Sequence, residues 1–204
     1  MNIMKKGRKM VNNMYLFEPD YIVETTNVCN MQCPGCYAKN VNEMDNNKIY
    51  LTPQKFLLKL NNIKEKYNKS IALRGGEPTL SPYIDDILKL SYCFKNTYLE
   101  TNGLWVLDIE KYSSLVDKVL DYNIIVKLSF DRMHSSLPKT VNKIIKKLEH
   151  LNICFEIAIT AKNLNEYMEI KQELHIPKYV KTYFQKFLDS KQKIIDTYDI
   201  LELN

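Results

Sequence analysis

Cys29-Asn30-Met31-Gln32-Cys33-Pro34-Gly35-Cys36-Tyr37 gathers three of the chain's five cysteines within eight residues, spaced C-x3-C-x2-C. Thiolates this close together face one centre only if the backbone wraps around it, and Pro34-Gly35 supplies the bend. Cysteine is a soft ligand that suits iron–sulfur clusters or zinc. Three thiolates on a four-iron cluster leave one iron without a protein sulfur, and that vacancy is where a reaction can take place.

Working outward, Tyr21-Ile22-Val23-Glu24-Thr25 reads as a strand whose C-terminal end releases the cysteine loop. Thr52-Pro53 is a helix start, and the helix runs to about Tyr67 with Phe56, Leu57, Leu60 and Ile63 on one face. Ser70 to Leu73 is a second strand, ended by Arg74-Gly75-Gly76-Glu77-Pro78; Ser81-Pro82 opens a helix carrying Ile84, Ile87, Leu88 and Leu90. A third strand, Thr97 to Glu100, ends in Thr101-Asn102-Gly103, and a helix of about Ile109 to Leu120 follows. Strand four, Ile124 to Phe130, ends at Asp131; Pro138 opens a helix with Val141, Ile144, Ile145 and Leu148 inward. Strand five is Ile153 to Thr160, Asn163-x-x-Glu166 caps a helix reaching about His175, and Lys181 to Phe187 is a sixth strand.

Six β-then-α units with short connections specify a parallel sheet with helical crossovers. The cysteine loop, the Gly-Gly-Glu-Pro turn, the Thr-Asn-Gly turn and Asp131 all fall at C-terminal strand ends. Those ends line one mouth of a (β/α) barrel. The expected fold is therefore α/β, a partial (β/α)6 TIM-like barrel with parallel strands and outer helices, open on one side. The expected organisation is an N-terminal basic arm over 1–18, the barrel over 19–188, and a tail over 189–204. Apolar spacing from Ile194 to Leu203 suits a closing helix.

Bulk properties fit one such domain. The chain has 204 residues, 45% hydrophobic and 26% charged, with 29 basic against 24 acidic groups. A net charge of +5 permits an anionic partner without demanding one. No apolar run approaches the ~20 residues of a membrane span. Lys5, Lys6, Arg8 and Lys9 precede no apolar stretch of the secretory kind, so a cytoplasmic, reducing setting is expected.

These motifs resemble those of the radical S-adenosylmethionine (radical SAM) superfamily, over about Tyr21 to Phe187. The carriers are C-x3-C-x2-C after strand one, Gly75-Gly76-Glu77-Pro78 after strand two, and the ends of strands three and four. The resemblance implies that Cys29, Cys33 and Cys36 hold one [4Fe–4S] cluster whose fourth iron is chelated by the methionine part of S-adenosyl-L-methionine (SAM). An electron passed to the sulfonium then gives methionine and a 5′-deoxyadenosyl radical, which abstracts hydrogen from a substrate.

It further implies that Gly75 and Gly76 let backbone approach the methionine, that Glu77 accepts from its ammonium, and that Pro78 completes the turn. Asn102, Ser129 and Asp131 take positions near the ribose and carboxylate, with Ile157, Ile159 and Thr160 against the adenine. The family commonly puts an aromatic just before the third cysteine; here Gly35 is there and Tyr37 follows, wording similar to that of activases of glycyl-radical enzymes. An electron donor such as flavodoxin or ferredoxin is implied, and the substrate is a peptide, a protein or a nucleotide. Activation of a partner's glycine, modification of tRNA or a nucleobase, and a non-catalytic zinc module are the alternatives.

Other residues carry plainer expectations. Cys93 and Cys154 read as small buried hydrophobes, which leaves too few thiols for a second cluster. His150 and His175 suit helix C-termini. His134, in Asp-Arg-Met-His over the mouth, is the candidate for substrate binding or proton transfer. Arg74 is either an ion-pair partner beside the site or a strand-end charge.

Overall fold

Alternating apolar residues in six successive segments build one parallel sheet. The computed structural model describes residues 10–11, 14–15, 19–33, 36, 48–132, 138–186 and 199–201. Two short strands, β1 (Met10–Val11) and β2 (Met14–Tyr15), precede β3 (Tyr21–Glu24). Then follow α1 (Pro53–Asn61), β4 (Ser70–Arg74), α2 (Ile84–Ser91), β5 (Asn96–Thr101), α3 (Ser113–Asp121) and β6 (Ile125–Phe130). The chain continues through α4 (Pro138–His150), β7 (Phe155–Ala161), α5 (Leu164–Glu173), β8 (Thr182–Lys186) and β9 (Asp199–Leu201).

The sheet order is β1-β2-β8-β7-β6-β5-β4-β3-β9, and every pairing from β3 to β8 is parallel. Strands β3 to β8 lie in sequence order with no reversal. That is the winding of a barrel; a doubly wound sheet reverses at a switch point. The fold is a partial (β/α)6 barrel.

Each strand has one face toward the helices and one away. Val23, Leu73, Leu99, Val126, Leu128, Ile157 and Ile159 pack against Phe56, Leu60, Ile87, Leu88, Val116, Ile144, Ile145, Leu148 and Ile170 in one cluster. Burying each such side chain contributes about 1.5–3 kcal/mol. Among the described residues, the opposite, inner face carries a small apolar patch of Ile22, Ala72 and Tyr98, with Ile125 against it.

Helix starts follow the sequence signals. Thr52 Oγ1 accepts from Lys55 N at 3.3 Å with Pro53 in the first turn. Asn163 Oδ1 accepts from Glu166 N at 3.0 Å while the Glu166 carboxylate accepts from Lys162 N at 2.6 Å, a reciprocal cap. Helix ends are shorter than expected. α1 stops at Asn61 because Asn61-Asn62 favour local hydrogen bonds and Glu65 turns left-handed at φ 53°; within it Leu57, expected on the inward face, is exposed with Leu58 while Phe56 and Leu60 are buried. α3 begins at Ser113, because residues 104–107 form a 3₁₀ turn that buries Trp105 and Val106. Among the described residues, the buried Trp105 indole N–H has no hydrogen-bond partner.

Three expectations need correction. Within the 1–18 arm, β1 and β2 form an antiparallel pair, and β2 runs parallel to β8 with Tyr15 opposite Tyr183. In place of a closing helix over 194–203, Asp199–Leu201 is a strand parallel to β3. Both additions satisfy backbone groups that the outer strands of a six-stranded sheet leave unpaired. Cys93 and Cys154 are exposed, since α2 ends before the one and β7 begins after the other. Among the described residues, no helix is long and apolar enough to cross a membrane.

Gly103 shows how tightly the helices press on the sheet. It sits at φ +76°, and a Cβ there would lie 2.6 Å from Leu128 Cδ1 and 2.8 Å from Ile144 Cγ2. Gly103→Ala is expected to destabilise the protein by about 1–3 kcal/mol in chemical denaturation, through left-handed strain and overpacking.

Candidate functional site

The stem of the cysteine loop is stitched to the Gly-Gly-Glu-Pro turn by backbone. Thr25 N donates to Arg74 O at 2.7 Å, Gly76 N to Thr26 O at 2.7 Å and Glu77 N to Val28 O at 2.7 Å. The Thr25 hydroxyl also donates to Arg74 O, at 3.0 Å. Gly75 lies at φ +142°, and a Cβ on it would sit 2.3 Å from Thr26 O; one on Gly76 would sit 2.3 Å from Val28 O. The side-chain space of both glycines is thus filled by the protein's own backbone. Where sequence reasoning reserved that closeness for a bound methionine, the structure uses it to seat the loop that carries Cys29.

The far side of the stem is held as well. Leu51 N donates to Thr25 O at 2.8 Å, Ile49 N to Asn27 Oδ1 at 2.8 Å, and Thr26 Oγ1 to Ile49 O at 2.9 Å.

Glu77 is the hub between the β4 and β5 exits. Its side chain is fully buried. Oε1 accepts from Thr79 N (3.2 Å), Thr79 Oγ1 (2.7 Å) and Thr101 Oγ1 (2.7 Å), and Oε2 accepts from Asn102 N (2.9 Å). Burial pushes its carboxyl above the usual range, and these hydrogen bonds pull part of the way back. A carboxylate offers about four acceptor positions, so the capacity left over lies on Oε2. Pro78, buried at the start of a 3₁₀ turn, fixes the chain direction beyond it. Asn102 Nδ2 donates to Asn30 Oδ1 at 2.9 Å, and Asn102 Oδ1 accepts from Leu104 N at 2.9 Å. Asn102 therefore ties the β5 exit to the cysteine loop.

Of the three loop cysteines, Cys33 is buried, Cys36 half-buried and Cys29 exposed. Cys36 N donates to Cys33 O at 3.3 Å, and Met31 N to Cys29 Sγ at 3.4 Å. Although Cys29 reaches the surface, partial desolvation by the surrounding chain raises its thiol; the Met31 N–H opposes this, and the negative charges of Glu77, Cys33 and Cys36 add to it. A bound metal reverses that penalty, since coordination deprotonates a thiol outright. Among the described residues, no three His, Cys, Asp or Glu side chains converge on a single metal ion. A cuboidal cluster takes each thiolate on a different iron, and the all-sulfur donor set fits it. Tyr37 and His134, both expected at the mouth, lie outside the described residues.

The inner face of the sheet is charged. Glu24 pairs with Arg74 in register, Glu100 with Lys127, and Lys127 with Glu156. Arg74 lies one residue beyond the Leu73–Leu99 pair, hence beside Glu100; Lys181 lies one before the Thr182–Ile157 pair, hence beside Glu156. Six side chains of alternating sign thus form one row across six strands. Arg74 Nε meets Glu24 at 2.7 Å, Lys127 Nζ meets Glu100 at 3.0 Å and Lys181 Nζ meets Glu156 at 3.5 Å. Arg74 is therefore an ion-pair partner. Burial lowers the Lys127 ammonium from its ordinary value, with Glu100 opposing.

Two residues further toward the mouth lie Ser129, Ala158 and Tyr183 in register, then Thr160 and Gln185; Asp131 follows the end of β6, one residue beyond the Phe130–Ile159 pair and hence beside Thr160. Thr160 Oγ1 donates to Gln185 Oε1 at 3.4 Å, and Tyr183 OH donates to the Glu156 carboxylate. Ser129, Asp131 and Thr160 thus share one face. Ile157 and Ile159 do not join them: both are fully buried on the helix side, one residue out of phase with Thr160. Sequence reasoning missed the charged row, Tyr183 and Gln185. Their signal was available as mid-strand charges at every second position, opposite the apolar set.

A family model described as the Radical SAM superfamily matches residues 23–165. An S-adenosylmethionine-dependent nucleotide dehydratase of Flammeovirga pacifica is 28% identical over 153 residues, 70% of this chain and 46% of that protein. A 7-carboxy-7-deazaguanine synthase of Clostridium acetobutylicum is 26% identical over 181 residues, 86% of this chain and 77% of that protein. The crystal structure of Streptococcus suis SuiB bound to precursor peptide SuiA aligns with a TM-score of 0.62 at 18% identity, covering 86% of this chain and 41% of SuiB. The chain thus spans less than half the length of the first relative and of SuiB. The family match begins in β3, runs through the cysteine loop and the Gly-Gly-Glu-Pro turn, and ends in α5: the chain belongs to the radical SAM superfamily.

Proposed function

We propose that this chain is a radical SAM enzyme that holds one [4Fe–4S] cluster on Cys29, Cys33 and Cys36 and takes hydrogen from a nucleotide or nucleobase substrate. The observation that carries the reading is the three-thiolate loop sewn to the Gly-Gly-Glu-Pro turn at the exits of β3 and β4. When bound, the cluster and SAM supply a one-electron reductive cleavage that generates the hydrogen-abstracting group. The protein's part is positional. The buried Glu77 hub and the Asn102–Asn30 bond fix the loop, while Ser129, Asp131 and Thr160 offer oxygens to the ribose and adenine of SAM.

The Asn102 side-chain nitrogen and oxygen both bond within the chain, so its role is to position the cysteine loop. The substrate class is supported by the nucleotide and deazaguanine in the names of the two relatives above. A flavodoxin or ferredoxin is the electron source this chemistry needs, and a reducing cytoplasm keeps the thiols available.

Anaerobic reconstitution followed by dithionite and SAM is expected to yield 5′-deoxyadenosine and methionine, measured by liquid chromatography. Cys29→Ser is expected to lower that yield to background, with iron and sulfide per chain falling in step. Full turnover by the serine variant, or bound zinc without sulfide in the parent protein, would refute the reading. Gly76→Ala places a methyl against Val28 O. We expect folded protein by circular dichroism with most of the reconstituted iron and sulfide lost, a local strain of about 1–3 kcal/mol.

A further inference from the structure

We propose that the basic, leucine-bearing outer face of α1 is where an acidic electron-carrier protein, of the flavodoxin or ferredoxin kind, docks to reduce the cluster. This rests on the function proposed above and adds the surface through which its electron arrives.

The chain's excess charge is concentrated at α1. Residues 48–69 hold six lysines (Lys48, Lys55, Lys59, Lys64, Lys66 and Lys69) against the single acid Glu65, a net of +5. The whole chain's net is also +5, so all the other charges cancel. Lys66 donates to Ile63 O at 2.8 Å, and Lys69 pairs with Asp20 at 3.4 Å. Lys48, Lys55 and Lys64 are exposed, and none of the three forms an ion pair with another described residue. Between Lys55 and Lys59 stands Leu58, 67% exposed, with Leu57 46% exposed beside it. Residues three and four apart share a helix face, which puts Lys55, Leu58 and Lys59 on one ridge. An apolar centre with a charged rim is the anatomy of a transient protein interface.

The ridge is rooted beside the cysteine loop. Tyr50 bridges to Thr26, Leu51 N donates to Thr25 O at 2.8 Å, and Ile49 N donates to Asn27 Oδ1 at 2.8 Å. Asn27 is two residues short of Cys29. Leu58 stands about 9 Å along the helix axis from the Thr52 cap. A carrier seated on the ridge therefore lies beside the loop that presents the thiolates. One electron leaves the carrier's own flavin or iron–sulfur centre for the cluster, and no bond forms or breaks.

Other occupants fit less well. A second copy of this chain would press one +5 segment against another. Nucleic acid is usually gripped by arginine and by rings on which bases stack. Residues 48–69 contain no arginine, and the apolar group between the lysines is aliphatic. The exposed ring of Tyr67 lies past the helix, at the end farther from the cysteine loop.

Anaerobic isothermal titration of the reconstituted protein tests this, with a purified acidic flavodoxin, an acidic ferredoxin, a basic c-type cytochrome and total tRNA as titrants. At least one acidic carrier is expected to bind in low salt and to weaken by more than about tenfold near 0.5 M salt, while the cytochrome does not bind. Lys55→Glu combined with Lys59→Glu is expected to weaken the carrier by about tenfold or more, and Leu58→Ser by about fivefold. Lys146→Glu combined with Lys147→Glu makes the same charge change on exposed residues of α4 and is expected to stay within about twofold of the parent. Iron content and circular dichroism of the same samples report whether each variant is folded.

No binding by either acidic carrier, a flat salt response, or equal losses in the α1 and α4 variants would each overturn the proposal. So would tRNA binding that the α1 substitutions abolish while the carriers are unaffected, which would make the ridge a nucleic-acid face. 5′-Deoxyadenosine formed with dithionite, a small reductant that needs no docking, separates the two levels. If it forms and no carrier binds, only this inference falls; if none forms in the parent protein, the function beneath it falls first.

Discussion

Backbone lies directly on backbone where residues 25–28 meet residues 74–77, and the rest of the site is built on that contact. No side chain at 75 or 76 is compatible with it, because the Cβ position of each glycine is already taken by a carbonyl oxygen 2.3 Å away. The contact extends the β3–β4 ladder past the end of the sheet, so the cysteine loop leaves a rigid stem. Glu77 carries the restraint onward to β5 through Thr101 and Asn102, and Asn102 returns it to the loop through Asn30. Three strand exits are thereby fixed relative to one another by hydrogen bonds.

The inner face answers a different problem. A barrel wall needs side chains on both faces, and a face that receives polar ligands is poorly served by aliphatic residues. Here the solution is an ion-paired row in which each charge lies beside charges of opposite sign on the neighbouring strands. Lys127 shows the cost: burial disfavours its charged form, and Glu100 supplies the compensation. Like-for-like pairing along the row would be prohibitive at this degree of burial, so the alternation also favours one register of the six strands over its neighbours.

Much of this was legible in the sequence because the strands alternate cleanly and the motifs mark their ends. Tyr21, Ser70, Phe130 and Pro138 bound elements within a residue or two of where expected. The cysteine loop and Gly75-Gly76 announced themselves by composition. What composition hid was the tertiary reason for the glycines, since a Cβ clash depends on a partner strand fifty residues away. Ile157 and Ile159 were assigned to the ligand side because they are apolar and near the strand end; the period-two rule places them with the helices. The charged row was invisible for a related reason: each charge sits on a different strand, and only the register brings them into line. The β2 and β9 pairings escaped because strands of two or three residues carry almost no periodic signal.

Trp105 gives the molecule a built-in optical readout. It is the chain's single tryptophan, buried in the turn that follows Asn102, and its indole N–H makes no hydrogen bond among the described residues. An indole in so dry a setting emits at short wavelength, and it stands three residues from the asparagine that grips the cysteine loop. Rearrangement of that loop would reach the fluorophore through the 3₁₀ turn, so emission colour and quenching follow the state of the barrel mouth without any attached label.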